Sequence, residues 1–139
     1  MKTIQSVILA LGVSLLLGSC STIKMNFVTS SVVPAATGEV KVKKDKNKNY
    51  VINVTVLNLA DPKKLTPAKE SYLVWMESSG NSVKKLGQID TSSGLLSKTR
   101  KGEVSATAVA EPTRVFITAE NDVSLQYPAG DVVLTTNRK

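Results

Sequence analysis

Short runs of alternating apolar and polar residues, separated by turn-forming residues, fill the chain from residue 38 onward. The run GEVKVKK alternates Val40 and Val42 with charged residues, and YVINVTV places Ile52 and Val54 opposite Asn53. A period of two is typical of a strand that buries one face. Only the polar segment KDKNKN separates these runs, so together they predict a β-hairpin with a longer loop.

The run SYLVWM differs because it is apolar on both faces. Tyr72, Val74 and Met76 fall on one side of a strand, and Leu73 and Trp75 fall on the other. A strand with two apolar faces is typical of the middle of a core. We therefore expect Trp75 to be buried. The alternative, in which Trp75 stacks on a ligand, is less typical of a lone tryptophan on such a strand.

Four further runs predict strands: VKKLGQI, EVSATAVA, RVFITAE and DVVLTT. Prolines and glycines fall between the runs, and no segment has a sustained helical period. The segment TSSGLLSKTRKG is predicted as a loop. Six or seven short strands with turn signals between them indicate an all-β sandwich, which residues 38–139 are expected to form.

The N-terminus has the order of a secretory signal peptide. A positive start, Met1-Lys2, precedes the apolar run VILALGVSLLL and the small residues Gly18 and Ser19. As a helix this run would span roughly 16 Å, against about 30 Å for the hydrocarbon core of a membrane. We therefore interpret residues 1–19 as a cleaved signal rather than a transmembrane helix.

The signal ends in Leu17-Gly18-Ser19-Cys20, which resembles the lipobox of bacterial lipoproteins, and Cys20 is the only cysteine in the chain. The resemblance implies that the Cys20 sulfur receives a diacylglycerol, that the chain is cut just before Cys20, and that the new amino group is acylated as well. A thiolate is the nucleophile that can accept such a lipid. The alternative is a buried or leftover thiol within an ordinary signal.

The residues that follow Cys20 bear on the location of the protein. By resemblance to bacterial lipoproteins, an aspartate just after the cysteine would imply retention in the inner membrane, and an acidic cluster would imply surface display. The chain continues instead as Ser21-Thr22-Ile23-Lys24. We expect an anchor in the outer membrane that faces the periplasm. Residues 20–37 are expected to be a lipid-anchored tether or an edge strand.

Composition removes several classes of enzyme. The chain has no histidine, and its single cysteine is assigned to the lipid, so it cannot build a Ser-His-Asp or Cys-His nucleophile or a zinc site of the usual kind. We expect no cofactor and no metal. The formal net charge is +7, but nucleic acid is not an expected partner in the envelope.

The mature region is similar to the extracytoplasmic C-terminal domain of anti-sigma-K factors. The similarity is carried by YLVWMESSGNSVKKLGQI, FITAEN and YPAGDVVLT, within residues 38–136. In that family an aromatic strand ending in Trp leads through a glycine turn to a Leu-Gly pair, and a strand ending in Glu precedes a Pro-x-Gly turn. The matched residues are Tyr72 to Trp75, Gly80, Leu86, Gly87, Phe116 to Glu120, Pro128, Ala129 and Gly130.

This resemblance implies an immunoglobulin-like antiparallel β-sandwich and a role in envelope sensing or binding. The matched positions are expected to be structural. Family members carry a zinc-associated sigma-binding region and a transmembrane helix before this domain, and neither is expected here. Direct sequestration of a sigma factor is therefore not expected.

Five lysines crowd the predicted hairpin: Lys41, Lys43, Lys44, Lys46 and Lys48. Lysine on an exposed strand edge commonly serves only to keep that edge solvated. The functional alternative is attraction to an anionic surface, either lipid headgroups or cell-wall polymers. We favour the solvated edge, and both interpretations remain open from the sequence.

The same hairpin contains the start of a calcium-loop pattern. Asp45, Asn47 and Asn49 have the right alternate spacing, but Tyr50 stands where glycine is needed and Val56 stands where glutamate is needed. A calcium site is therefore rejected.

Two other motifs are attributed to chance. Ser82 and Lys85 match S-x-x-K, but positions i and i+3 of a strand face opposite sides. The sequon Asn53-Val54-Thr55 lies on a predicted strand of a bacterial protein.

These features predict a lipid-anchored envelope lipoprotein with a binding, sensory or structural β-sandwich and no catalysis. Its expected partners are the membrane, through the lipid on Cys20, and an envelope protein or anionic cell-wall polymer. The alternative is a carboxylate-based envelope enzyme, or an accessory subunit of one, which would need two carboxylates about 5 to 10 Å apart in a concave pocket.

Overall fold

The computed structural model describes residues 21–90 and 100–139, which form eight strands and one short 3-10 helix at Pro62–Lys64. The strands in chain order are β1 (Ile23–Asn26), β2 (Thr37–Lys44), β3 (Tyr50–Leu57), β4 (Ser71–Ser78), β5 (Ser82–Ile89), β6 (Lys101–Ala108), β7 (Pro112–Glu120) and β8 (Val132–Thr135). The all-β prediction is confirmed. The expected signal peptide, Cys20 and most of the loop expected after β5 lie outside the described residues.

The strands form two antiparallel sheets of four. Sheet 1 has the order β1-β2-β3-β6, and sheet 2 has the order β5-β4-β7-β8. The chain crosses between the sheets after β3, after β5 and after β6, so β3 lies beside β6 and β4 lies beside β7. Constant-type immunoglobulin domains have the sheets ABED and CFG, in which strand B is beside E and strand C is beside F. The strands β3, β6, β4 and β7 correspond in this respect to B, E, C and F. The difference is β5, which extends the sheet of β4.

The strand β1 and the two residues that follow it connect the two sheets along one side of the sandwich. Its residue Met25 lies opposite Val40 of β2. The chain then leaves sheet 1, and Phe27 forms a bridge with Thr136 just beyond β8. The amide of Val28 donates to the carbonyl oxygen of Thr135 at 2.8 Å. The segment that the sequence left open between tether and edge strand thus contains a strand that closes one side of the fold.

The core between the sheets is built from the alternating residues of each strand. The predicted inward residues Val40, Val42, Ile52 and Val54 are at most 1% exposed, as are residues of β4 and β7 that face them. These include Tyr72, Val74, Val115 and Ile117. The core needs few aromatic residues because β-branched and aliphatic side chains fill it, and β-branched side chains pack well on a pleated sheet.

The sequence predicted that both faces of β4 lie in the middle of one core, but its outer face packs separately. Leu73 and Trp75 do not contact the inter-sheet core but form a second group, here called the outer cluster, with Phe116 of β7. Val83 and Leu125 pack against this cluster from β5 and from the β7–β8 loop (residues 121–131). Trp75 is fully buried, as predicted. It is covered by a loop rather than by another sheet.

Tyr72 has the one buried side-chain polar atom without a hydrogen-bond partner in the part of the chain that the structure describes, its hydroxyl oxygen. Burial, together with the charge of Asp61, raises the pKa of Tyr72 to about 12. An exposed tyrosine loses its proton near pH 10. The free energy of unfolding therefore keeps the full contribution of the Tyr72 proton below pH 10 and loses it as the pH rises from 10 to 12.

We expect Tyr72→Phe to keep the stability at pH 7 or to raise it by about 1 kcal/mol, since burying an unpaired hydroxyl costs about 1–3 kcal/mol. The variant should also lose less stability than the parent between pH 10 and 12. Urea unfolding at several pH values measures both effects, with Tyr127→Phe as the exposed control. A loss of stability at pH 7 in Tyr72→Phe would mean that the hydroxyl has a partner.

Candidate functional site

One end of the sandwich, here called the hairpin end, contains both the first described residues and the lysines. Because β1 runs antiparallel to β2 with Ile23 opposite Val42, Ser21 falls beside Lys44. Ser21, Lys44, Tyr50 and Glu111 line one surface cavity of about 190 Å³ there. Cys20, the lipid acceptor that the sequence predicts, immediately precedes Ser21 in the chain and lies outside the described residues.

Asp45 shapes the loop at the tip of the β2–β3 hairpin. Its Oδ1 accepts hydrogen bonds from the amides of Asn47 at 2.8 Å and Asn49 at 2.9 Å. The amide of Lys48 donates to the Asp45 carbonyl oxygen at 3.1 Å, and Lys48 has a φ of 64°. Asp45 is thus used to build a turn, in the usual manner of aspartate in tight loops.

The five lysines of the hairpin have two different environments. Lys41 points to the outer face of sheet 1, where it binds Glu39 at 2.9 Å, and Lys24 binds the same carboxylate at 2.6 Å. Hydrogen bonds from Lys24 and then from Lys41 lower the pKa of Glu39. Lys41 is therefore part of an exposed charge network in the middle of the sheet.

The other four lysines form the group that we call the basic hairpin: Lys43, Lys44, Lys46 and Lys48. All four are exposed, and within residues 21–90 and 100–139 none of them forms an ion pair. Lys44 lies over the ring of Tyr50, with its Nζ 5.3 Å from the ring centre. The basic hairpin therefore presents charge that the described part of the protein does not neutralise.

A buried polar chain lies on the outer face of sheet 2. The indole nitrogen of Trp75 donates to Thr118 Oγ1 at 2.8 Å, and this hydroxyl donates to Glu120 Oε1 at 2.7 Å. The same carboxylate oxygen accepts from the amides of Ala129 at 3.1 Å and Gly130 at 2.9 Å. Glu120 is only 3% exposed, and it fastens the end of the β7–β8 loop to the sheet.

Lys85 fastens the other part of the same loop. Its Nζ donates to the carbonyl oxygens of Val123 at 2.9 Å and Leu125 at 2.8 Å. At Gly130 a Cβ would overlap the carbonyl oxygen of Ala119, so the close approach of loop and strand requires glycine. Lys85 therefore has a structural role, and the Ser82–Lys85 motif shows no nucleophile arrangement.

A second buried carboxylate, Glu77, lies at the hairpin end of β4. Its Oε1 is 2.8 Å from Nη2 of Arg138, and its Oε2 is 3.3 Å from Nη1 of Arg114. The Arg114 guanidinium also lies 4.6 Å from the centre of the Phe116 ring. Both arginines are oriented by these contacts, so Glu77 joins β4, β7 and the chain after β8 without being free for a ligand.

Two other surface cavities are lined by described residues. One, of about 200 Å³, lies between residues 28–32 and 132–135. The other, of about 350 Å³, lies on the outer face of sheet 1 between Asn53–Thr55 and Glu103–Ser105. Neither lining contains two carboxylates. In the second cavity the Asn53 side chain accepts a hydrogen bond from the Ser105 hydroxyl at 2.8 Å.

Sequence reasoning expected Glu120 to be structural but did not predict the burial or the contacts of Glu120 or Glu77. Trp75, Thr118 and Glu120 occupy the same face of neighbouring strands, but this follows only from the register that pairs Trp75 with Phe116. That register cannot be read from a local pattern.

Comparison with known proteins adds no further assignment. No family model, no curated protein and no solved structure matches the chain. Within residues 21–90 and 100–139, no helix has the length and apolar character needed to cross a membrane.

We expect Trp75→Ala to lower the free energy of unfolding by about 3–5 kcal/mol, since it removes the largest side chain of the outer cluster. Tyr127→Ala is the control, because Tyr127 is 72% exposed and should change stability by no more than about 0.5 kcal/mol. Chemical denaturation measures both. A loss below about 1 kcal/mol in Trp75→Ala would contradict the burial of this side chain.

We expect Glu120→Ala to free the β7–β8 loop from sheet 2. The amides of Ala129 and Gly130 should exchange with solvent at least about tenfold faster, and stability should fall by about 2 kcal/mol or more, because hydrogen bonds to a charged acceptor are lost. Hydrogen exchange measured by NMR is the test. The control Glu111→Ala removes an exposed carboxylate and should leave these two amides protected. Unchanged protection in Glu120→Ala would show that the loop is held by other contacts.

Proposed function

We propose that this protein is a lipid-anchored lipoprotein of the bacterial envelope whose β-sandwich is a binding, sensory or structural module. The observation that carries the proposal is the order of the chain: a lipobox-like Leu17-Gly18-Ser19-Cys20 is followed at once by Ser21, and β1 begins at Ile23. The acceptor sulfur and the folded domain are thus separated by only two residues.

This short separation favours a domain held against the membrane. Three residue steps connect Cys20 to Ile23, and an extended chain covers at most about 3.6 Å per step, or roughly 11 Å. Two or three acyl chains give stable anchoring where a single chain gives only marginal binding. With the lipid on Cys20, the hairpin end would rest near the bilayer, and the loops at the other end would face away from it.

We place the protein at the outer membrane, facing the periplasm. This follows from the resemblance to bacterial lipoproteins, because Ser21 occupies the position where an aspartate would imply the inner membrane. The loops that face away from the membrane, residues 58–70 and 121–131, are the surface available to an envelope protein. The resemblance to anti-sigma-K factor domains favours a sensory role for such contacts.

The positions that carry this resemblance are consistent with structural roles. Trp75 is buried, Gly80 has a φ of 82° in the turn between β4 and β5, and Gly130 allows the loop to approach Ala119. Binding specificity would then depend on exposed loop residues that the resemblance does not cover.

The buried carboxylates support a binding module over an enzyme. Glu77 pairs with Arg114 across the β4–β7 ladder, and Glu120 lies six residues further along β7. At about 3.3 Å per residue the two carboxylates are roughly 20 Å apart, whereas sugar-cleaving pairs need about 5 to 10 Å. Each is also surrounded by donors from the protein itself. Glu77 and Glu120 therefore do not supply the pair that a carboxylate-based enzyme would need.

We expect Cys20→Ser to abolish acylation and to move the protein from the membrane fraction to the soluble or unprocessed fraction, because a hydroxyl does not replace the thiolate as lipid acceptor. The control Ser21→Ala keeps the sulfur and should remain acylated. Mass spectrometry of the mature N-terminus, combined with membrane fractionation, measures both. An unmodified Cys20, or cleavage at another bond, would contradict the proposal.

A further inference from the structure

We propose that the basic hairpin binds the anionic phospholipid headgroups of the same membrane that holds the acyl chains on Cys20. The lysines then fix the orientation of the sandwich, which stands on its hairpin end. This inference rests on the proposed function, since it names the surface on which the lipidated domain sits.

The topology places the lysines beside the anchor. β2 runs toward the hairpin end, its last residue is Lys44, and Ser21 lines the same cavity as Lys44. The opposite end of the sandwich is separated by the eight residues of β2, which at about 3.3 Å per residue is roughly 26 Å. A lipid on Cys20 therefore brings the basic hairpin to the membrane and keeps the opposite loops away from it.

No carboxylate in the part of the chain that the structure describes forms an ion pair with the basic hairpin. Several basic side chains elsewhere have carboxylate partners: Lys24, Lys41, Lys63, Lys101, Arg114, Arg138 and Lys139. The acid within the hairpin loop is Asp45, and its Oδ1 accepts from two backbone amides. Glu111 shares a cavity with Lys44, but its carboxylate is ion-paired with Lys139 at 3.1 Å. Four exposed lysines, two at the end of β2 and two on the turn that follows it, are thus available to phosphate groups.

The neighbouring turn adds an apolar side chain at the same end. Tyr50 pairs with Ala108, so the β6–β7 turn lies next to the hairpin. Val109 in this turn is 85% exposed. Lysines beside an exposed apolar residue are the combination that suits the headgroup region of a bilayer, where both kinds of group find favourable surroundings.

The lysines and the predicted lipid anchor share the hairpin end, and for this reason we name lipid rather than a cell-wall polymer. A tether of one or two residues holds the lysines at high effective concentration against headgroups, so a weak attraction suffices to orient the domain. A polymer would have to reach the same lysines from the side or from beneath the domain. The attraction decays within about 10 Å at 0.1 M salt, so the loops at the opposite end would not take part.

A single introduced thiol can report this orientation. Cys20 is the only cysteine, so once its sulfur carries lipid, Asn47→Cys gives one labelling site at the hairpin tip. Ala68→Cys gives a matching exposed site at the opposite end. The full lipidated protein, with a fluorophore at either site, is reconstituted into vesicles that contain a headgroup-linked quencher. The vesicles are made either with 30% phosphatidylglycerol or with phosphatidylcholine alone.

We expect strong quenching of the Asn47→Cys label in the anionic vesicles and little quenching of the Ala68→Cys label. Raising the salt from 0.1 to 1 M, or using neutral vesicles, should reduce the difference between the two sites. Replacing Lys43, Lys46 and Lys48 by Gln should lower the preference for the upright orientation about a hundredfold, at about fivefold for each lysine near an anionic surface. Lys44 is retained because it stacks on Tyr50.

The matched control removes the same charge from the opposite end, with Lys63, Lys64 and Lys69 replaced by Gln. This control should keep the quenching pattern of the parent. Equal quenching of both labels, or a pattern insensitive to lipid charge and to the hairpin substitutions, would overturn the inference. The inference would be overturned in favour of a polymer if the hairpin substitutions abolished binding to purified cell-wall fragments but left the orientation on vesicles unchanged. Mass spectrometry of each sample separates these outcomes from a missing acyl group, which would contradict the proposed function instead.

Discussion

A central strand that is apolar on both faces has to be covered twice, and β4 imposes this requirement on the whole fold. Its inward side chains pack against sheet 1, as in any sandwich. Its outward side chains, Leu73 and Trp75, have no second sheet to contact and are covered by the β7–β8 loop. The loop is irregular, so its backbone groups need partners that a strand would have supplied. Glu120 and Lys85 provide them, the first for amides and the second for carbonyl oxygens.

This arrangement decides how the ionisable residues are used. A carboxylate buried to 3% exposure is tolerated only when donors surround it, and Glu120 obtains three donors at one oxygen. Glu77 meets the same demand with two guanidinium groups. These two buried carboxylates thus join strands and loops and are not free to form a site. The basic side chains without a carboxylate partner lie at the surface, and the basic hairpin is the densest group of them among the described residues.

Local patterns predicted the parts of the fold that depend on one strand at a time. The alternation in β2 and β3 identified their buried faces, and the doubled apolar pattern of β4 identified a central strand with a buried Trp75. The outer cluster could not be predicted, because it depends on the register between β4 and β7, which are more than thirty residues apart. The role of β1 was open for the same reason. Its four residues carry little pattern, and their partners in β2 are about fifteen residues away or more along the chain.

The strand β1 also determines how the domain would respond to force. A pull on a lipid attached at Cys20 acts along the axis of β1, while a partner bound at the opposite loops would hold the rest of the sandwich. The hydrogen bonds between antiparallel strands are perpendicular to the strand axis, so such a pull loads the β1–β2 pairs together in shear instead of opening them one after another. The bridge from Phe27 to Thr136 adds sheet 2 to the same load path. With a lipid on Cys20, the first strand would thereby be the mechanical joint between the membrane and a partner held by the far loops.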